Sequence, residues 1–297
     1  MNRELEGDSV EEKKFSFSTS KTLINVVVYF LLFLAGDLVS SIIFDILFLF
    51  VKFQSRNPYA ILRMLGCIVF TVLFFWLYTN KVLHFKLKDF GITFDMKSWG
   101  VVLSILLPAY VVIVFLFIGK AEVNIFTSGE IILIIIASLI TALKAGILEE
   151  MLFRGFFMTL LEYKWNKYIA ILAPSFLFSL LHIPSMEYFT IGGVLLLIIS
   201  GTLVGIMFSL VAYKGKSISN GAFMHAAWNF IMVTDILSIT AGEETYGKTI
   251  FTVTIPSDHM WLTGGGFGAE ASVIAITGYI LVCVAAIFVK ESSNLCK

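Results

Sequence analysis

Residues 130–161, EIILIIIASLITALKAGILEEMLFRGFFMTLL, decide the fold, because they are apolar enough to cross a membrane and yet contain adjacent charges. Glu149, Glu150 and Arg154 lie within six residues of one another, although a charge near the centre of a bilayer costs about 2.5–3.5 kcal/mol even on lenient insertion scales. On a helix, Glu150 and Arg154 share a face, whereas Glu149 points about 100° away from them. The spacing therefore predicts an ion pair between Glu150 and Arg154 and a free carboxylate at Glu149, which is the candidate for chemistry.

The composition indicates an integral membrane protein. Of 297 residues, 58% are hydrophobic and 14% are charged, whereas soluble domains carry about 25% charged residues. The formal net charge is zero, which gives no indication of nucleic acid as a partner. We therefore expect membrane lipid around the protein and no nucleic acid bound to it.

Eight apolar segments are long enough to cross the hydrocarbon core of a bilayer, which is about 30 Å thick. They cover residues 22–52, 59–79, 99–119, 130–160, 167–183, 191–213, 217–239 and 268–290. The pattern predicts an all-α, polytopic membrane protein of about eight transmembrane helices that enclose an intramembrane cavity.

The distribution of Lys and Arg predicts the orientation. Both are concentrated in the segments on the side of the N-terminus, which is the cytoplasmic side by the positive-inside rule. Residues 1–21 are polar and lack the basic start and small-residue cleavage site of a signal peptide. We therefore predict a multi-pass protein of the cell membrane with a cytoplasmic tail at 1–21, a transmembrane helical domain at 22–290 and a cytoplasmic tail at 291–297. Residues 240–267 then form a long outer loop.

Two further spans carry polar side chains of catalytic kinds. His182 lies in the fifth span in the sequence FSLLH, and His225 and Asn229 of the seventh span are i,i+4 and share a helix face. At ~1.5 Å per residue, both histidines and Glu149 fall in the middle half of the bilayer and can meet around one cavity.

These groups suit peptide hydrolysis. A carboxylate with a neighbouring imidazole can take a proton from water and deliver it to the leaving amine. A second imidazole and a carboxamide can donate hydrogen bonds to the oxyanion of a tetrahedral intermediate. Each group also has a structural interpretation: an intramembrane histidine or Asn229 can hydrogen-bond between helices, and Glu150 with Arg154 can be a purely structural pair.

Three motifs resemble those of the CPBP family of intramembrane proteases, which comprises CAAX proteases and bacteriocin-processing enzymes and is also called the Abi or type II CAAX endopeptidase family. The family pattern is EExxxR, then FxxxH, then HxxxN or HxxxD. This sequence has Glu149-Glu150…Arg154, Phe178…His182 and His225…Asn229, in that order on successive spans. Residues 130–239 carry the resemblance and are the predicted protease core.

The resemblance implies an intramembrane endopeptidase with its catalytic cavity inside the membrane. Glu149 is then the general base, His182 helps it to activate water, and His225 with Asn229 forms the oxyanion site. Glu150, Arg154 and Phe178 are supporting residues. The family is commonly labelled as metalloproteases, and a metal-free glutamate mechanism is also argued for it.

The cofactor remains open at this point. The sequence has no HExxH motif, which would fix two zinc ligands on one helix turn. Glu149, His182 and His225 can still form a three-ligand zinc site. The expected partners are membrane lipid and a peptide or membrane-protein substrate.

Two other classes compete with the protease. A catalytically inactive membrane scaffold or immunity protein would keep the fold without the activity. In a proton-coupled transporter, the buried carboxylates and histidines would act as relays, but the sequence shows no inverted repeat of the kind common in carriers.

Overall fold

The computed structural model describes residues 17–50, 56–242 and 249–289. Most of these residues are helical. The α-helices are α1 (Thr19–Phe50), α2 (Arg56–Leu77), α3 (Ser98–Ile118), α4 (Ser128–Glu150), α5 (Met158–Lys164), α6 (Lys167–Leu181), α7 (Ile191–Gly215), α8 (Ser219–Met232), α9 (Met260–Thr263) and α10 (Val273–Phe288). π-Helical turns at Tyr78–Val82 and Met151–Phe157 extend α2 and join α4 to α5. The predicted tail at 291–297 and most of the tail at 1–21 lie outside the described residues.

The predicted all-α, membrane-spanning character is confirmed. Within the described residues, six helical stretches are long and apolar enough to cross a membrane. They are Thr19–Phe50, Pro58–Val82, Ser98–Ile118, Ser128–Lys164, Lys167–Ser185 and Ile191–Gly215.

The predicted number of eight spans is not confirmed, because the helices within 217–239 and 268–290 are shorter than expected. Helix α8 has 14 residues and α10 has 16, so at ~1.5 Å per residue they are about 21 and 24 Å long. Both are shorter than the ~30 Å hydrocarbon core. Within 217–239, α8 ends at Met232, and the last residues of the apolar segment form a β-strand that begins at Leu237.

A small sheet lies where the sequence suggested connecting loops and the end of the seventh span. Its strands are β1 (Lys120–Val123), β2 (Leu237–Thr240) and β3 (Phe251–Thr254), in the order β1-β3-β2. Strand β3 is antiparallel to β1 and parallel to β2. The sheet therefore ties the α3–α4 connection to the segment after α8. Part of the predicted outer loop at 240–267 is β-structure, and residues 243–248 of it lie outside the described residues.

Side-chain caps fix where the central helices begin. Thr127 accepts a hydrogen bond from the main-chain N–H of Glu130, whose carboxylate accepts from the N–H of Thr127, so α4 starts with a complete capping box. At the starts of α6 and α10, the side chains of Asn166 and Ser272 accept hydrogen bonds from main-chain N–H groups of the first turn. The caps satisfy N–H groups that would otherwise have no partner at a helix start.

Two apolar clusters hold the helices together. One surrounds Tyr29, which stacks on Phe156 with ring centroids 3.7 Å apart and joins α1 to the π-helical turn after α4. The other is built from α3, α7, α8, α10 and the sheet, and includes Phe208 and Trp228. The π-helical turn after α4 belongs to the first cluster, to which it contributes most of its apolar side chains.

Candidate active site

The predicted pair between Glu150 and Arg154 is confirmed. Arg154 Nη1 donates to Glu150 Oε1 at 2.7 Å, and the two side chains are 1% and 0% exposed. Arg154 Nη2 also donates to the main-chain oxygen of Gly205 on α7, at 3.0 Å. A buried guanidinium is tolerated when such partners satisfy it.

Two aromatic rings complete the surroundings of Arg154. The guanidinium carbon lies 5.1 Å from the ring centroids of both Phe178 and Phe208, which is within the range of cation–π attraction. Phe178, predicted as a supporting residue from its motif, thus contacts both the arginine and the ring of His182, whose centroid is 4.4 Å away.

The imidazole of His225 lies between the two glutamates. Its Nδ1 is 3.1 Å from Glu150 Oε1 and its Nε2 is 3.8 Å from Glu149 Oε2. The ring stacks on Phe208 at 4.9 Å. Since the carboxylate of Glu150 can only accept, the proton on Nδ1 is assigned by this bond, and the bond turns Nε2 toward Glu149.

Glu149 is the less restrained of the two carboxylates. Its side chain is 22% exposed, and its Oε2 has no hydrogen-bond partner among the described residues. Glu150, in contrast, is held by Arg154 and His225. The pattern of one paired and one free carboxylate follows the prediction from helical spacing.

A close helix crossing brings the glutamates to His225. A Cβ atom placed on Gly146 would lie 2.5 Å from the main-chain oxygen of Ala222 and 2.8 Å from the N of Ala226. Glycine is therefore needed for α4 and α8 to approach at this height. The result places the last turn of α4 directly against His225.

A π-helical turn follows the two glutamates. It covers Met151–Phe157, and all seven of its residues are buried. Such turns are often found at functional sites because they change which side chains share a face. Here the turn still leaves Arg154 beside Glu150, while Phe156 packs on Tyr29 in the apolar cluster around that tyrosine.

One cavity of about 610 Å³ contains all four predicted catalytic side chains: Glu149, His182, His225 and Asn229. Its volume is in the usual range for small-molecule and substrate sites. His182 ends α6 rather than standing within it, and its Nδ1 bonds to the main-chain oxygen of Phe178 at 2.8 Å. The histidine whose ring nitrogen is found near Glu149 is His225.

Sequence reasoning missed one carboxylate that lines the same cavity, Glu270. It accepts a hydrogen bond from Trp228 Nε1 at 2.8 Å, and its main-chain oxygen accepts one from the hydroxyl of Tyr279. Glu270 lies just before α10. The signal in the sequence was a lone glutamate within the glycine-rich stretch LTGGGFGAEAS.

The arrangement does not fit a three-ligand zinc site. Among the described residues, no group of three or more His, Cys, Asp or Glu side chains could hold a metal ion. Of the predicted ligands, Glu149 Oε2 and His225 Nε2 are 3.8 Å apart. The Nδ1 of His182 is already engaged by the main-chain oxygen of Phe178.

Fold and site together define a multi-pass helical membrane protein with charged and polar side chains gathered in a cavity among apolar helices. Residues 131–231 match the family described as Type II CAAX prenyl endopeptidase Rce1-like. The match confirms the resemblance drawn from the three motifs, and it spans Glu149, His182, His225 and Asn229. None of the curated proteins compared with the chain matches it.

Proposed function

We propose that this protein is an intramembrane endopeptidase that hydrolyses a peptide bond of a membrane-associated or peptide substrate. The observation that carries the proposal is the cavity in which a free carboxylate, Glu149, lies with two imidazoles and a carboxamide. The family match over the same residues supports an endopeptidase of the CAAX type.

Glu149 acts as the general base. The carboxylate takes a proton from a water molecule, whose oxygen bonds to the carbonyl carbon of the substrate. The same proton then passes to the amide nitrogen as the carbon–nitrogen bond breaks, which releases an amine and a carboxylic acid. His182, at the end of α6 in the same cavity, orients the water.

His225 and Asn229 stabilise the oxyanion. Both line the cavity, and Asn229 follows His225 by one helical turn, so their donors can converge on one oxygen. In this role Nε2–H donates to the oxyanion while Nδ1–H donates to Glu150, so the ring carries a proton on both nitrogens. Glu150 holds the ring through Nδ1, and Arg154 holds Glu150.

Glu270 is a positioning residue in this proposal. Through its bond to Trp228 it anchors α8 between the two residues of the oxyanion site, because Trp228 stands between His225 and Asn229 in the sequence. The protein sits in the cell membrane with both termini in the cytoplasm, as the Lys and Arg distribution predicts.

The experiment is cleavage of a fluorogenic peptide library by detergent-purified protein, wild type beside Glu149→Gln. We expect the substitution to lower kcat by about 100-fold or more, since general bases contribute about 10²–10⁴. Glu122→Gln is the matched control, because Glu122 is an exposed carboxylate on β1, and it should cleave like wild type.

A chelator arm tests the metal-free form of the mechanism. Cleavage that persists with chelator supports Glu149 as base. If chelator abolishes cleavage and zinc restores it, the mechanism proposed for Glu149 is wrong and the same residues act as ligands. Equal cleavage by Glu149→Gln, or none by wild type, favours the inactive scaffold or the carrier.

A further inference from the structure

Strand β2 is an edge strand of the small sheet. In the order β1-β3-β2, only its side toward β3 is paired. The pairing is parallel, with Leu237 opposite Phe251 and Ile239 opposite Val253. Edge strands present main-chain N–H and C=O groups that can pair with another extended chain.

The hydrogen bonds show which residues of β2 face that open side. The main-chain oxygens of Ile236 and Thr240 accept from the N–H groups of Phe251 and Ile255. Because main-chain groups alternate in direction along a strand, those of Leu237 and Ile239 point away from β3. In the described part of the chain, no residue bonds to them on that side.

Strand β2 borders the candidate active site. Leu237, Ser238 and Ile239 line the cavity that also contains Glu149 and His182. The opposite edge of the same sheet, β1, is exposed at all four residues and lies outside that cavity. The β2 edge of the sheet therefore borders the cavity, whereas the β1 edge is exposed.

A peptide in an apolar cavity needs partners for its main-chain hydrogen bonds, and an edge strand can supply them. A segment that crosses a membrane as a helix keeps its N–H and C=O groups bonded to one another. Opening the helix to expose a peptide bond frees these groups, and an unpaired buried amide is costly. An edge strand restores their hydrogen bonds and leaves the side chains to pockets, which is how β-strand addition binds peptides.

We propose, on the basis of the peptidase function above, that an extended segment of the substrate adds as a strand to the open edge of β2 at Leu237 and Ile239. The substrate is then recognised through its main chain, which favours an unwound segment over a particular residue sequence. The strand leads the segment from the sheet into the cavity toward Glu149.

The protein side of the test is Ile239→Pro, which deletes one outward N–H without touching the ladder to β3. Ile239→Ala controls for the lost side chain. Ala121→Pro controls for proline in the sheet, because its N–H points outward from the opposite edge, as the alternation from the bond of Asn124 to Ile250 shows. We expect Ile239→Pro alone to raise KM by roughly two- to tenfold at unchanged kcat, the worth of one net hydrogen bond.

The substrate side is the peptide cleaved fastest in the library, remade with a single N-methyl amide at each residue in turn. Binding to the Glu149→Gln protein is followed by fluorescence anisotropy, and KM with wild type. Weakening at every second amide is expected, since only alternate amides of a strand face one neighbour.

The outcomes separate the two ideas. Cleavage with no alternation in the N-methyl series, or with Ile239→Pro equal to Ile239→Ala, overturns the strand addition and leaves the peptidase intact. A protein that cleaves none of the library overturns the peptidase and, with it, the strand addition. Thermal unfolding of each variant shows whether a loss comes from an unfolded sheet.

Discussion

At the scale of single residues, Arg154 sets the electrostatics of the site. Its side chain is 1% exposed, and its two terminal nitrogens donate to Glu150 and to the main chain of Gly205. Removing one partner of a buried pair leaves an uncompensated charge, whereas removing both is often tolerated. The pair therefore specifies geometry more than it adds stability.

Arg154→Met is expected to destabilise the protein by about 3–5 kcal/mol, because the buried Glu150 loses its arginine and keeps only its bond with His225. Thermal unfolding in detergent measures the change. The double variant Glu150→Leu/Arg154→Met should recover part of the loss. Lys88→Met, at an exposed lysine, is the control and should stay within about 0.5 kcal/mol of wild type. A single variant as stable as wild type would show that the pair is dispensable.

Glu270→Ala is expected to lower kcat about ten- to hundredfold, since loss of the bond to Trp228 shifts α8 and small misplacements are costly. Glu270→Gln keeps an oxygen acceptor for the indole N–H and should retain most activity. Trp228→Phe removes the donor and should resemble Glu270→Ala. Equal losses in Glu270→Gln and Glu270→Ala would argue against positioning through this bond.

Residue spacing predicted part of this site and could not predict the rest. The i,i+4 rule was enough for Glu150 with Arg154, because both lie on one continuous helical stretch. The bond from Trp228 to Glu270 joins residues 42 apart. Glu270 lies in a glycine-rich stretch without helical periodicity, so nothing local marked its partner.

At the scale of elements, the crossing of α4 and α8 decides whether the site forms. Gly146 allows the contact, and Gly201 and Gly205 play a similar part between α7 and α6, where added Cβ atoms would meet Ser179 and Ser175. Small residues four apart commonly allow membrane helices to pack this closely.

Gly146→Ala is expected to destabilise the protein by about 1–3 kcal/mol, since the added methyl meets main chain that cannot turn aside. Activity should fall as well, because α4 carries Glu149 away from His225. Gly129→Ala in the first turn of the same helix is the matched control, as a Cβ there meets nothing within 4 Å. Unfolding and cleavage are measured on both variants. If Gly146→Ala behaves like Gly129→Ala, the close crossing is not required.

Element boundaries were harder to predict than element identity. The apolar run at 217–239 was interpreted as one span, but α8 ends at Met232 and β2 begins at Leu237. A short apolar run does not distinguish helix from strand. The pairing of β2 with β3, which follows it after the segment 241–250, makes the end of this apolar run a strand. Such pairing leaves no periodic signal in the sequence of the run.

At the scale of the whole molecule, the helices and sheet give the protein two distinct ends. The sheet joins 120–123, 237–240 and 251–254 at one of them. The Lys and Arg distribution predicts that this end faces outward and that both termini face the cytoplasm. The membrane class was predictable from the composition, with 58% hydrophobic and 14% charged residues, and the all-α class from the lengths of the apolar segments.

A reporter fused after Lys297 is expected to be active only in the cytoplasm, since an excess of Lys and Arg marks that side. Thr245→Cys, in the predicted outer loop, should react with an impermeant thiol reagent added to intact cells. The unsubstituted protein is the control for background labelling. A C-terminal reporter found outside would reverse the predicted orientation.

The buried arginine also has a consequence for biosynthesis. Arg154 is synthesised 51 residues before Gly205, and Glu150 is synthesised 75 residues before His225. A nascent chain that has inserted α4 therefore holds a charged pair in lipid before α7 and α8 exist to enclose it. The strongly polar segment stays poorly solvated until those helices leave the translocon. In a chain truncated before α7, this pair stays exposed to lipid. Cellular quality control is expected to degrade such a chain, whereas in the full-length chain α7 and α8 bury the pair.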